Sequence, residues 1–135
     1  MNTPSWFSKC REWRTEFETL LAPPFREVAA AVAIFHTITE EGTDAGKYSM
    51  GEDRFHRISL SCALSEAEAR TTYGHEFAHF LAAMFFGDVD HGFIWQGYMK
   101  LFGLPAEEFH AIPLQARRVI GEVMEKIDEA TGGGK

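Results

Sequence analysis

The strongest constraint on the fold is the segment between Ser65 and Gly87, which predicts one long helix over residues 65–86. Ser65 is a favourable N-cap, and the acidic residues that follow it suit the positive end of a helix dipole. A glycine at position 87 is a common helix stop. Between these ends the apolar residues recur at helical spacing: Ala69, Phe77, Phe80, Leu81, Met84 and Phe85.

The same segment contains His75-Glu76-Phe77-Ala78-His79. Residues four apart lie on one face of a helix, so both imidazoles can reach a single cation at about 2.0–2.1 Å. Glu76 lies about 100° round the helix from His75, outside the ligand set but beside the water that the metal would activate. The pattern predicts a zinc ion held by His75 and His79, with Glu76 as general base.

A catalytic zinc usually has a third protein ligand, and two known arrangements do not fit this chain. The metzincin pattern requires glycine and histidine at positions 82 and 85, which are Ala82 and Phe85. The thermolysin-like arrangement requires an acidic residue on a second helix near Met99, where the sequence has none.

His91 fits the third position better. It follows the turn at residues 87–90 and precedes the apolar segment Phe93 to Leu104, so a helix reversal would carry it back over the metal. Asp90 is then the predicted N-cap of that second helix.

Four motifs follow one another between Tyr73 and Pro105, and together they resemble the SprT-like zinc metallopeptidase family. They are His75-Glu76-x-x-His79, Phe86-Gly87, His91-Gly92-x-x-Trp95 and Lys100-Leu101-Phe102-Gly103-Leu104-Pro105. A weaker similarity extends upstream to Gly42. The resemblance implies a three-histidine zinc site of His75, His79 and His91, with Glu76 activating water for peptide-bond hydrolysis. It also implies a zincin-like minimal metallopeptidase core in a single domain over residues 1–135.

The resemblance implies a protein or peptide substrate and extends to DNA-associated proteins, on which some family members act. Those members commonly carry a cysteine-rich zinc ribbon after the peptidase core, whereas Cys10 and Cys62 both precede the motif here. The net charge of -7 also has the wrong sign for binding a phosphate backbone. The resemblance thus makes nucleic acid a possible partner, but the net charge of the chain does not support it.

The remaining pattern predicts an α+β fold, with several helices on a small three-stranded antiparallel sheet. The N-terminal helix, capped by Ser5, is expected to end before Pro23-Pro24. Arg54 to Leu60 is the candidate edge strand for holding a substrate in an extended conformation. The predicted elements are an N-terminal helix over 4–21, a sheet region over 31–61, the metal helix, a third-ligand helix over 91–103 and a C-terminal helix over 113–129.

Composition agrees with one globular domain, because 135 residues with 45% hydrophobic content can bury a substantial core. The first residues lack a basic segment leading into an apolar stretch, and no window approaches about 20 apolar residues. We therefore expect a cytoplasmic protein without a membrane span.

Several roles stay open at this stage. A second oxyanion donor is usual in such sites, and Tyr98, Lys100 and His110 are the candidates, although a packing or surface role is favoured for each. Asp88 or Asp90 is a candidate either for orienting a ligand histidine or for a turn or helix cap. Trp95 and Phe102 are expected in the core. The alternative function is a zinc-binding regulatory or protein-interaction module without proteolytic activity, against which the intact Glu76 argues.

Overall fold

The structure is a computed structural model that describes residues 3–40, 44–88 and 90–105. A 3-10 turn at Ser5–Lys9 precedes four helices and three strands, so the α+β class is confirmed for these residues. In chain order the elements are α1 (Cys10–Glu18), α2 (Pro23–Ala31), β1 (Ile34–Thr39), β2 (Gly46–Met50), β3 (His56–Ser61), α3 (Glu66–Phe86) and α4 (Phe93–Leu101). The predicted C-terminal helix over 113–129 lies outside the described residues.

Helix α3 has both of the ends that the sequence predicts. The Ser65 hydroxyl accepts a hydrogen bond from the Glu68 backbone N–H at 3.2 Å, and the Glu68 carboxylate accepts one from the Ser65 N–H at 2.9 Å. This capping box satisfies two backbone donors that a helix start leaves without partners. At the other end Gly87 adopts a left-handed conformation with φ of 67°, which glycine tolerates without strain.

The three-stranded sheet is mixed, so the expected antiparallel sheet is wrong. The strand order is β1-β3-β2, in which β3 pairs parallel with β1 and antiparallel with β2. The chain reverses after β1 and again after β2, so β3 runs in the same direction as β1. Because β3 lies between the other two strands instead of beside β2 alone, its pairing with β1 must be parallel.

The strand order also corrects the predicted substrate strand. Arg54 to Leu60 falls largely on β3, which is the central strand and has both edges paired. The edge strand next to the metal helix is β2, which packs against α3.

The N-terminal region and the third-ligand helix begin at positions other than those predicted. The expected helix over 4–21 is divided into the 3-10 turn and α1, and Pro4, not Ser5, occupies the cap position of the turn. Pro23 and Pro24 also begin α2, where proline's missing N–H costs nothing. Gly92, not Asp90, is the N-cap of α4.

Helix α3 is the centre of the core and contacts α1, α4, β2 and β3. Trp95 and Phe102 lie in this core, as predicted. The largest fully buried side chains are Trp95, Tyr73, Tyr98, Phe17, Phe77, Phe80, Leu21, Ile58, Leu60, Leu81 and Met99. Within the described ranges, no helix has the length and apolar character needed to cross a membrane. The cytoplasmic location stays a prediction.

Candidate metal centre

One side of α3 forms the floor of an open cleft of about 850 Å³. Thr72, His75, Glu76 and His79 line this floor, since residues three, four and seven apart share one face of a helix. Residues 44–50, which include all of β2, form the opposite wall. His91, Met99 and Pro105 line the cleft from the α4 side. The cleft therefore lies between the predicted metal helix and an edge strand.

The three predicted ligand histidines converge in this cleft. One ring nitrogen from each of His75, His79 and His91 lies within 4.8 Å of the others. The Nε2 atoms of His75 and His91 are 3.2 Å apart. Two nitrogens bound at about 2.0–2.1 Å in a tetrahedral arrangement would lie about 3.3 Å apart. The donor set and this separation therefore fit a zinc ion.

The environment of His79 favours the form of imidazole that binds metals. His79 is only 9% exposed, whereas His75 is partly buried and His91 is exposed. Burial, and to a lesser extent the neighbouring His91 and His75 rings, lower the pKa of His79 to about 3. At neutral pH this side chain is therefore neutral, and one ring nitrogen has a lone pair for a cation.

Glu76 lies beside the imidazole cluster without joining it. Its Oε2 atom is 3.8 Å from Nε2 of His75, and the residue is 5% exposed although it lines the cleft. A carboxylate that lies beside the three histidine rings, but is not one of the groups that converge, is in position to accept a proton from a water molecule in the cleft. This is the arrangement that the sequence predicts for a general base.

Trp95 packs against all three histidine rings, whereas the sequence interpretation placed it only in the core. Its ring centroid lies 4.7 Å from that of His75, 5.3 Å from His79 and 4.9 Å from His91. Its indole N–H donates to the His75 carbonyl at 3.1 Å. The spacing His91-Gly92-x-x-Trp95 contains the signal for this role, because the tryptophan follows His91 by about one helical turn.

The turn that presents His91 is held by short-range hydrogen bonds. The Asp88 carboxylate accepts from the Asp90 backbone N–H at 3.0 Å, and the Gln96 side-chain amide donates to the His91 carbonyl at 3.2 Å. Asp88 thus shapes the turn backbone.

The candidate oxyanion donors do not reach the cleft among the residues described. Tyr98 is buried in the core, and Lys100 is exposed in the last turn of α4. Neither lines the cleft, and His110 lies outside the described residues.

Comparisons of the chain with protein-family models, with curated proteins and with solved structures give no match. The resemblance to the SprT-like family stays a prediction.

Proposed function

We propose that this chain is a zinc-dependent metallopeptidase with a zincin-like core of the SprT-like type, which hydrolyses peptide bonds in protein substrates. The observation that supports this most directly is the convergence of His75, His79 and His91 in a cleft that also contains the Glu76 carboxylate. A purely structural zinc site usually has four protein ligands and needs no adjacent carboxylate. Three imidazoles beside a carboxylate suit a hydrolytic site.

In this proposal His75, His79 and His91 hold the zinc ion as neutral imidazoles. When bound, zinc supplies Lewis acidity, which lowers the pKa of water and polarises the peptide carbonyl. Trp95 keeps the His75 segment of α3 in place through its hydrogen bond to the His75 carbonyl.

Glu76 moves the proton. Its carboxylate accepts a proton from the attacking water as the water oxygen bonds to the carbonyl carbon. The same carboxyl group then gives that proton to the departing amine nitrogen while the carbon–nitrogen bond breaks. The products are a carboxylic acid and an amine, and Glu76 returns to its ionised form.

Strand β2 binds the substrate backbone in this proposal. It is an edge strand along the cleft wall, and edge strands offer main-chain N–H and C=O groups to an added extended segment. Main-chain pairing accepts many side-chain sequences, but it requires a segment without its own helix or sheet partners. We therefore expect loosely folded proteins to be cleaved and compact ones to resist.

The test compares the wild-type chain with Glu76→Gln, using a loosely folded protein such as casein. We expect the variant to retain zinc at wild-type stoichiometry and to lose at least about 100-fold in cleavage rate, because general-base catalysis contributes about 10²–10⁴-fold. Glu66→Gln is the matched control, since Glu66 is an exposed residue at the start of the same helix, paired with Lys9. It should retain wild-type activity.

Equal cleavage by wild type and Glu76→Gln would contradict the proposed base. Zinc binding without cleavage by the wild-type chain would favour the non-proteolytic zinc module instead. Adding single-stranded DNA to the same assay measures whether nucleic acid stimulates activity.

A further inference from the structure

Strand β2 packs tightly against α3 at Gly46. This residue is the first of β2 and pairs with Leu60 in the antiparallel ladder. It also lines the cleft, opposite Thr72 and Glu76 of α3. The backbone of the cleft wall and the side chains of the cleft floor are therefore in direct contact here.

There is no room for a side chain at this position. A Cβ atom added to Gly46 would lie 2.5 Å from the Thr72 methyl carbon, 3.2 Å from the Ser59 carbonyl oxygen and 3.3 Å from Cγ of Glu76. Carbon atoms in contact are normally about 3.5–4.0 Å apart. Any larger residue must therefore move the strand, the helix, or the Thr72 and Glu76 side chains.

We propose that Gly46 is a positioning residue for Glu76, and that its missing side chain sets the distance between the peptide-binding edge and the general base. This inference rests on the proposed function of Glu76. Because the added Cβ would crowd both the Thr72 methyl group and Cγ of Glu76, a new side chain would push β2 outward or turn the Glu76 carboxylate away from the cleft. Either change separates the bound peptide from the group that moves the proton.

The inference predicts a specific pattern of defects. Misplacing a reacting group by about 1 Å can cost about 100-fold in rate. We expect Gly46→Ala to lower kcat by about 10- to 100-fold. Zinc affinity should stay within about twofold of wild type. The three atoms nearest to the added Cβ belong to Thr72, Ser59 and Glu76, and none belongs to His75, His79 or His91.

Gly51→Ala is the matched control, since Gly51 follows the other end of β2. Its added Cβ would meet the Arg57 guanidinium at 2.7 Å and the Asp53 carboxylate at 2.8 Å. Both are ends of flexible, solvent-exposed side chains that can move aside. Gly51 does not line the cleft, so this variant should keep wild-type kcat and KM.

A second variant tests whether the contact itself is responsible. Thr72→Ser removes the methyl group that the new Cβ would meet at 2.5 Å. We expect Gly46→Ala combined with Thr72→Ser to recover at least about half of the lost activation free energy. A folding defect that reached α3 would lower zinc binding as well, and a defect with any cause other than this contact would not respond to Thr72→Ser.

Crystal structures of both glycine variants keep the inference testable if no peptidase activity is found. We expect the Glu76 carboxylate or β2 to be displaced in Gly46→Ala and unmoved in Gly51→Ala. Gly46→Ala with Glu76 and β2 in their original positions, or with wild-type kcat in an active enzyme, would overturn the inference. Inactivity of the wild-type chain would instead count against the proposed function.

Discussion

The described histidines fall into two groups with different surroundings. His36 on β1 and His56 on β3 each have a tyrosine hydroxyl 2.7 Å from a ring nitrogen, supplied by Tyr73 and Tyr48 respectively. The three histidines of the cleft instead face one another. Ring nitrogens satisfied by tyrosine hydroxyls belong to the hydrogen bonding of the fold, whereas imidazoles gathered around one point are arranged for a shared cation. Residue type alone does not distinguish the groups, but the neighbours do.

The largest difference between the groups should appear in zinc affinity. His79→Ala removes a nearly buried ligand, and we expect zinc affinity to fall by more than about 100-fold, because even loss of an orienting partner outside the ligand set costs about 10- to 100-fold. His56→Ala is the matched control in the sheet and should leave zinc affinity unchanged. Competition titration with a chelating dye measures both. Similar losses of zinc affinity in His79→Ala and His56→Ala would contradict the division of the histidines into two groups.

An intermediate effect is expected in the pH dependence of stability. Burial, together with the charges of Arg14 and Arg11, lowers the pKa of His36 from 6.5 to about 4. Between these values the unfolded chain binds a proton that the folded chain does not, so the free energy of unfolding falls as the pH is lowered through this window. The slope from one group is at most about 1.4 kcal/mol per pH unit, and the partial exposure of His36 reduces it.

His36→Gln removes this titrating group while keeping an acceptor for the Tyr73 hydroxyl. Urea unfolding of the metal-free protein between pH 7 and pH 4 should show a shallower decline for the variant than for wild type. Buried His79 titrates in the same direction in both proteins, so the difference between the two curves isolates His36. Parallel curves would contradict the assignment.

The smallest effect should follow from Tyr48→Phe, which removes the hydroxyl paired with Nδ1 of His56. The net contribution of such a hydrogen bond is about 0.5–1.5 kcal/mol, and the unfolding free energy should fall by about that amount. Zinc affinity should not change, since this pair belongs to the sheet. A loss of zinc binding in Tyr48→Phe would instead show that the histidines of the sheet and those of the cleft depend on one another.

The local features of the metal helix were predictable from the sequence because they depend on short-range interactions. The Ser65 cap needs only Glu68, three residues along the chain, and Gly87 needs only its own backbone conformation. The convergence of His75 and His79 likewise follows from helical spacing. The position of His91 near the other two histidines could also be predicted, because only a short turn separates it from the end of the same helix.

The sheet could not be predicted to the same degree, because its arrangement depends on contacts between distant segments. Alternating strand residues indicate which face is buried, but they do not indicate that β3 lies between β1 and β2. The sequence therefore predicts an edge strand at Arg54–Leu60, whereas the edge strand that packs against α3 is β2. The tight approach of Gly46 to Thr72 and Glu76 was missed for the same reason, since a single glycine in a sequence resembles an ordinary turn residue.

The three histidines all lie on one continuous stretch from α3 to the start of α4, whereas β2 is contributed by an earlier part of the chain. Closing a short loop costs little entropy, so the ion-binding unit can assemble from neighbouring residues before the long-range strand pairing is complete. If the chain is the peptidase proposed above, zinc binding and competence for catalysis would then be separable stages of folding. Loss of the strand pairing would leave the three histidines together and remove the strand that binds peptide, so the sheet would control proteolysis.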